Sequence, residues 1–270
     1  MNRFYMSQTM LKIYESGCPI AFSKQFFGTD GERYLFDMDK EVFKRGVLFE
    51  TLAIGAGLSG KQAKEGDVPR TSVYYSRIVE QAKIYREWEH EFASKAIGLQ
   101  MYLKAKIEWD GGTYYAQGNL DRVVRDKDGK IAIIDTKLTG DKDNTYGKFQ
   151  FGNPRKVDWT QLIHYRLIAK ANFKEDVRQM FYVADSKPEM GVKVLEPEIL
   201  DYHEWQHHDR CQRVYDEINT SLQIGYWEPK PSANNCGNCP LGDEQKMKDL
   251  GMEPCKFKRR TPEIELITLD

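Results

Sequence analysis

The chain has 270 residues, of which 40% are hydrophobic and 30% charged, and this composition predicts a soluble globular protein with one large or two small domains. The 40 basic and 41 acidic residues leave a net charge of -1, so a polyanionic partner must meet a local basic patch. No apolar run approaches the roughly 20 residues of a membrane span, the N-terminus has no signal-peptide core, and five cysteines without regular secreted spacing favour a reducing compartment. These features predict a cytoplasmic protein.

The first part of the chain predicts two helical segments. Residues 7–27 are helical or irregular and contain Cys18 before Pro19, and because proline disfavours a helical residue before it, Cys18 is expected at a break. Residues 39–54 predict a helix whose apolar stripe includes Val47 and Ile54, and Glu50 falls on that face. Taken alone, Glu50 is best interpreted as a carboxylate at a helix edge that reaches water, since acids are rarely buried.

A Gly- and Lys-rich stretch follows at residues 55–70 and nearly matches a phosphate-binding loop from Gly55 to Gln62. Gln62 stands where that motif needs Ser or Thr for magnesium, and a helix pattern precedes the loop in place of a strand. A surface loop is therefore favoured, and an NTP-hydrolysing enzyme is kept as a minor alternative.

Residues 72–97 predict a long helix, followed by a strand at 100–108. The helix contains Glu89-His90-Glu91. Because neighbouring helical residues point apart, these side chains do not converge, and we interpret them as part of a solvated face.

Two β-branched segments, residues 116–124 and 131–137, flank an Asp-Gly turn at 126–129 and predict an antiparallel hairpin. Residues 131–134 are apolar on both faces, which is typical of a central buried strand. Asp135 and Lys137 then share one face of the strand, whereas Thr136 takes the other. A second acid, Asp121, lies on the partner strand, and buried acids need pairing or a metal ion. Surface ion pairs on a β-ribbon are the alternative interpretation.

Between Asp121 and Lys170 there are 11 Lys and Arg against 7 Asp, a surplus of four that modestly supports a phosphate-facing side. A polar loop at 139–155 is expected next to this phosphate-facing surface. The helix predicted at 157–170 places Gln161 and Tyr165 four residues apart, so both side chains can reach one object.

The last third of the chain predicts strands at 176–185 and 191–202 and a helix at 205–224. That helix carries His207, His208 and Cys211, which we do not interpret as a metal set, and Cys211 is expected to pack as a small apolar residue.

From residue 231 onwards the chain becomes turn-rich and contains Cys236, Cys239 and Cys255 before a basic run at 256–260. The glycine between the first two cysteines lets both sulfurs turn toward one centre, so the tail suits a thiolate-ligated metal. Reduced thiols without a metal, a zinc ion and an iron–sulfur cluster all fit this pattern.

The three acids and one lysine predict phosphodiester chemistry. Carboxylates that hold Mg²⁺ or Mn²⁺ can cleave a phosphodiester at neutral pH without a protein nucleophile. Asp121 and Asp135 can point at a common spot, and Glu50 can close a third side. Lys137 would orient water or offset negative charge, and Gln161 and Tyr165 would hold the neighbouring phosphate.

The order helix-Glu50, strand-Asp121, Asp135-x-Lys137 and Gln161-x-x-x-Tyr165 resembles the PD-(D/E)XK nuclease superfamily, specifically the RecB-like exonucleases, including CRISPR-associated and phage members. The resemblance implies a restriction-endonuclease-like α/β core, a central mixed sheet flanked by helices. It implies that Glu50, Asp121, Asp135 and the Thr136 carbonyl bind the metal. The early Cys18-Pro19 pair, which follows Tyr14, and the cysteines late in the chain are similar to those of the iron–sulfur members of the family.

That similarity implies a [4Fe–4S] cluster on Cys18, Cys236, Cys239 and Cys255, with Zn²⁺ as the alternative, and a C-terminal segment packed near the N-terminus. The expected organisation is a single nuclease domain over 1–270, with a catalytic core at 41–230 and a cluster subdomain made of 1–40 and 231–270.

The expected function is metal-dependent exonucleolytic hydrolysis at DNA ends or in single strands, in recombination, repair or phage DNA processing. DNA is the expected partner, possible protein partners are those of recombination or phage processing, and no membrane is involved. A non-catalytic DNA-binding or assembly module that keeps the nuclease fold is the alternative.

Overall fold

The structure is a computed structural model that describes residues 4–29, 33, 41–55, 68–146, 150–230, 232–236, 239–249, 251 and 253–255. The near match to a phosphate-binding loop falls mostly at 56–67 and so lies outside the described residues. Contacts divide the chain into two compact units. The first contains 1–8 and 39–213, and the second contains 9–38 and 214–270. The division into a catalytic core and a cluster subdomain stays a prediction.

The described helices of eight or more residues are α1 Gln8–Ser16, α2 Pro19–Phe27, α3 Glu41–Ile54, α4 Val73–Phe92, α5 Thr160–Phe173 and α6 Asp201–Ile224. The shorter α-helices are α7 Ala233–Cys236 and α8 Glu244–Asp249, and 3₁₀ turns occur at Pro154–Lys156, Pro188–Met190 and Pro240–Gly242. No helix in the described ranges is both long enough and apolar enough to span a bilayer.

Among the described residues, five strands form one mixed sheet in the order β1-β2-β3-β4-β5. Their bounds are β1 Ala93–Trp109, β2 Gly112–Asp126, β3 Ile131–Thr139, β4 Val177–Asp185 and β5 Val192–Leu195. The strands pair antiparallel except for β3 and β4, which run parallel and are joined through α5. The predicted α/β class with a central mixed sheet is confirmed.

The predicted hairpin is confirmed in β2 and β3. Gly129 closes its turn with a φ of 79°, and its N–H donates to the Asp126 carbonyl at 3.1 Å. The Asp126 carboxylate accepts the Lys130 N–H at 2.8 Å and an Arg178 N–H at 2.6 Å. The turn acid therefore fixes the hairpin to the neighbouring strand β4.

Helices cover both faces of the sheet. On one face α3 and α4 pack through Phe49 and Tyr85 against strand residues that include Ile134 and Tyr182. On the other face, Ala169 of α5 packs with strand residues such as Ile133. Because β3 is buried on both faces from Ile131 to Thr136, any polar side chain at its end enters a dry environment.

Two element predictions were wrong in extent. The helix predicted through residue 97 ends at Phe92, because Ala93 onwards pairs with β2, beginning at Ala93 opposite Asp126. The strand predicted at 191–202 is only Val192–Leu195, since pairing with β4 covers just those four residues and α6 begins at Asp201. In both places tertiary pairing outweighs local sequence pattern.

Candidate active site

The candidate site lies where β2 and β3 stop pairing. The two strands pair from Arg122 opposite Ile134 to Arg125 opposite Ile131, and Asp121 and Asp135 are the next residues outward. The Thr136 N–H donates to Asp121 Oδ2 at 3.0 Å, and its hydroxyl lies 3.3 Å from the same oxygen. The carboxylate of Asp121 thus replaces a strand carbonyl as the acceptor, which holds it beside Asp135.

Glu50 on α3 belongs to the same electrostatic group. Burial raises the pKa of Glu50 to about 7, the Lys137 ammonium partly opposes this shift, and the Asp135 carboxylate adds to it. Glu50 is half-buried, so its carboxylate keeps some access to water, as its interpretation in isolation predicts, and it also interacts with the charges of Lys137 and Asp135.

Lys137 is the one cation of this group among the described residues. Its ammonium forms an ion pair with Asp135 Oδ2, and the Asp135 side chain is 1% exposed. Burial alone would lower the pKa of Lys137, but the carboxylates of Asp135 and Asp121 outweigh burial and raise it. Lys137 is therefore an ammonium that donates hydrogen bonds.

The charges in the group do not balance. Burial, followed by the charges of Asp135 and Glu50, raises the pKa of Asp121 well above its usual range, although Lys137 and the Thr136 N–H oppose the shift. Burial also raises the pKa of Asp135 against the opposing effect of Lys137. Three carboxylates against one ammonium leave an excess of negative charge that a divalent cation would offset. Hard oxygen donors suit Mg²⁺ or Mn²⁺, so these residues fit such an ion.

Helix α5 brings two further polar side chains to the carboxylates. Gln161 Nε2 donates to Asp135 Oδ1 at 2.9 Å and lies 3.2 Å from the Tyr165 hydroxyl. Burial, followed by the charge of Asp135, raises the pKa of Tyr165, so the phenol stays protonated. Gln161 and Tyr165 therefore contact each other, and Gln161 contacts Asp135, as their four-residue spacing predicts.

Gly118 on β2 makes room for the Tyr165 ring. A Cβ atom at Gly118 would lie 2.9 Å from Cδ1 and Cε1 of Tyr165 and 3.3 Å from Ile168 Cδ1. Real Cβ contacts are longer, so any side chain at position 118 would displace the ring. The sequence shows this glycine three residues before Asp121, but only the fold shows what it accommodates.

The raised pKa of Glu50 predicts that the metal-free protein becomes less stable as the pH rises. Between the usual value of 4.5 and about 7, the folded chain binds more protons than the unfolded chain, so the free energy of unfolding falls with increasing pH. A shift of this size corresponds to about 3 kcal/mol.

Thermal melts of chelator-treated protein from about pH 5 to about pH 8 should show this loss, and Glu50→Gln should reduce it. The raised pKa values of Asp121 and Asp135 should leave a smaller loss of the same sign, and the difference between the two proteins reports Glu50 together with its effect on Asp121. A variant that keeps the slope of the wild type would contradict the assignment.

The four cysteines of the predicted cluster line one cavity in the second unit. Cys18, Cys236, Cys239 and Cys255 surround it together with apolar residues such as Leu241. Burial raises the pKa of the Cys239 thiol, a Leu241 N–H opposes this, and the other three cysteines add to it. Cys18 lies directly before α2, at the break that Pro19 imposes.

Two groups in the first unit were not foreseen. Glu89 does not lie on a solvated face: Arg122 Nε donates to it at 2.9 Å, and both side chains are mostly buried. Cys211 is buried but is not simply an apolar packing residue, since its sulfur lies 3.3 Å from His207 Nε2. The four-residue spacing of His207 and Cys211 was a visible signal, whereas their neighbour His164 lies 43 residues away from His207.

The profile of the PD-(D/E)XK nuclease superfamily matches residues 41–243, and the chain belongs to this superfamily. The match contains every residue of the candidate active site, and it defines the protein as a nuclease-fold member.

A crystal structure from Eubacterium rectale, of a protein that carries the provisional description of an exonuclease, is similar to this chain with a TM-score of 0.56 and 16% identity. The alignment covers 87% of this chain and 85% of that chain, and it supports the fold. The crystal structure of the protein SSO0001 aligns at 14% identity over 87% of this chain and 92% of that one, with a TM-score of only 0.34. No curated protein matches the sequence significantly.

Proposed function

We propose that this protein is a divalent-metal-dependent deoxyribonuclease that hydrolyses phosphodiester bonds exonucleolytically, at DNA ends or in single strands. The observation that carries the proposal is the convergence of the buried Asp135, the half-buried Asp121 and Glu50 and one ammonium at the end of β3, with raised carboxyl pKa values. Carboxylates whose ionised form is disfavoured in the absence of a cation cost folding free energy, so a purely structural role does not explain their placement. Its place in a nuclease superfamily supports the same interpretation.

The metal ligands in this proposal are Glu50, Asp121, Asp135 and the carbonyl oxygen of Thr136. A divalent cation held there would offset phosphate charge and lower the pKa of an attacking water. The Thr136 N–H fixes one oxygen of Asp121, and the other oxygen can face the cation. At Asp135, Gln161 holds Oδ1 and the Lys137 ammonium pairs with Oδ2, so a cation bound there would share Oδ2 with the ammonium or displace it.

Lys137 would stabilise the charge that develops on the phosphoryl oxygens and orient water by donating hydrogen bonds. Its raised pKa favours this role over that of a general base. Gln161 and Tyr165 would position the neighbouring phosphate, since both side chains end beside Asp135. Recombination, repair or phage DNA processing are the settings in which we expect this activity.

We also propose that Cys18, Cys236, Cys239 and Cys255 hold a [4Fe–4S] cluster, with Zn²⁺ as the alternative. All four line one cavity. Four thiolates suit either centre, and the preference for an iron–sulfur cluster rests on the resemblance of Cys18-Pro19 and the late cysteines to the iron–sulfur members.

The decisive assay uses end-labelled single-stranded and duplex DNA beside closed circular DNA, with Mg²⁺, Mn²⁺ or chelator. We expect metal-dependent release of short products from the linear substrates and an intact circle. Gel retardation without any cleavage would instead support the alternative, a non-catalytic DNA-binding or assembly module. Cleavage that continues in chelator would contradict the metal-dependent mechanism.

Gly118→Ala is expected to weaken substrate use because the new methyl group displaces the Tyr165 ring. We expect a rise in KM of about tenfold, equivalent to about 1.4 kcal/mol of lost binding, with a smaller change in kcat. Gly140→Ala is the control, since a Cβ at Gly140 meets no atom within 4 Å among the described residues. Equal kinetics for both variants would show that the Tyr165 position does not matter.

A further inference from the structure

The first unit contains a second group of metal-ligating side chains, separate from the carboxylates and from the four cysteines of the cavity. His164 on α5 and His207 and Cys211 on α6 are buried, and their ligand atoms all lie within 4.8 Å of one another. His207 and Cys211 are four residues apart on one helix, so they project from the same face.

The hydrogen bonds of His164 fix which nitrogen it offers to this group. Its Nε2 lies 3.2 Å from the carbonyl oxygen of Gln117. A carbonyl only accepts, so Nε2 carries the proton and Nδ1 of the neutral ring keeps its lone pair. Nδ1 is the atom that faces His207, at 3.2 Å from Nε2. Donation of the second ring N–H to a backbone carbonyl is the usual support of a metal-ligating histidine.

The spacing of the three atoms approaches that of a tetrahedral site. Zinc bonds of about 2.0–2.1 Å to nitrogen and 2.3 Å to sulfur place neighbouring ligands about 3.3 to 3.6 Å apart. The observed separations are 3.2 Å between the two histidine nitrogens and 3.3 Å between His207 Nε2 and Cys211 Sγ. Small adjustments would therefore admit the ion.

The surroundings also suit a thiolate-bound cation. The Tyr114 hydroxyl hydrogen bonds with Cys211 and lies 2.9 Å from His208 Nδ1. Burial lowers the pKa of His164 to about 4 and that of His207 well below its usual range, so both rings are neutral, the state in which histidine binds metals. His207 also lines an open groove of about 440 Å³ between residues of α5 and α6, which brings solvent to one side of the group.

We propose that His164 Nδ1, His207 Nε2 and Cys211 Sγ form a zinc site. On binding, the Cys211 thiol releases its proton to solvent and the ring proton of His207 shifts from Nε2 to Nδ1, so that Zn²⁺ takes lone pairs of His164 Nδ1, His207 Nε2 and the thiolate sulfur. The site joins α5 to α6 immediately beside Tyr165 and one helical turn after Gln161. It therefore acts as a clamp that keeps the substrate-positioning face of α5 in place, and the ion takes no part in the chemistry at the carboxylates.

The test measures the metal content of untagged protein supplied with zinc and freed of excess ion. Cys211→Ser and His207→Asn should each hold about one zinc per chain less than the wild type. His208→Asn is the matched control, a neighbouring histidine outside the group, and it should keep the full content. Equal zinc in the wild type and both ligand variants would overturn the proposal.

Because the ligand variants are buried and could fail to fold, the second readout uses the wild type alone. Crystals grown with zinc and measured on both sides of the zinc absorption edge should show an anomalous peak between His164, His207 and Cys211. Peaks confined to the four-cysteine cavity or to the carboxylates, or no peak, would refute the site. None of these results depends on nuclease activity, so they test the zinc site independently of the proposed function.

Discussion

Asp121→Asn is expected to abolish DNA cleavage while leaving the metal-free fold at least as stable as the wild type. The amide oxygen can still accept the Thr136 N–H, so the local hydrogen bond is kept. The substitution also removes a carboxylate whose pKa is raised well above its usual range by burial and then by the charges of Asp135 and Glu50. The metal, however, loses a charged ligand. Loss of activity without loss of stability distinguishes a functional group from a structural one.

Cleavage rates in excess Mn²⁺ and thermal melts in chelator measure the two effects. Asp128→Asn is the matched control, since Asp128 is an acid of the same hairpin whose side chain is 79% exposed at the turn. The control should cleave at the wild-type rate. An Asp121→Asn protein within about tenfold of the wild-type rate would remove Asp121 from the mechanism.

Lys137→Met is also expected to reduce DNA cleavage, but unlike Asp121→Asn it should lower the stability of the metal-free protein. We expect a fall in kcat of about a hundredfold to a thousandfold, the usual effect of removing one charge-stabilising donor. The metal-free protein should lose some stability, because Asp135 would keep its burial without its ammonium partner.

Cys236→Ser is expected to remove the bound cluster and to destabilise the second unit strongly. A centre that joins Cys18 to cysteines more than 200 residues later contributes its binding free energy to folding, on the order of several kcal/mol or more. Wild-type protein purified without oxygen should be brown, and the variant should be colourless with a much lower melting temperature.

Cys211→Ser, compared for colour alone because it removes a ligand of the proposed zinc site, is the control, since Cys211 is a buried thiol that does not line the cysteine cavity. It should keep the brown colour. A colourless wild-type protein with zinc in the cavity would show that the four cysteines bind Zn²⁺ and not an iron–sulfur cluster. Colour that persists in Cys236→Ser would remove Cys236 from the ligand set.

The hairpin and its polar end were predictable because the information is local. An Asp-Gly turn between β-branched segments specifies the pairing, and strand alternation then places Asp135 and Lys137 on one face. The burial of Asp135 follows from the apolar residues that precede it. Glu50 was predictable only as a helix-face acid, and its partial burial depends on the packing of α3 against the sheet.

Features that depend on distant contacts were not predictable in this way. The residues after Phe92 pair with β2, and nothing in the local sequence opposes a longer helix. Glu89 meets Arg122 across 33 residues, and His164 meets His207 across 43. The role of Gly118 as space for Tyr165 likewise appears only when α5 lies on the sheet. Local pattern specifies elements, whereas packing specifies which side chains meet.

A crystal grown with Mn²⁺ and a short DNA strand, measured for anomalous scattering from manganese, examines the coordination chemistry directly. We expect density about 2.2 Å from carboxylate oxygens of Asp121 and Asp135, with Glu50 alongside and a phosphate bound opposite Lys137. DNA bound in that place without manganese between the carboxylates, or manganese bound only elsewhere on the chain, would contradict the proposed mechanism.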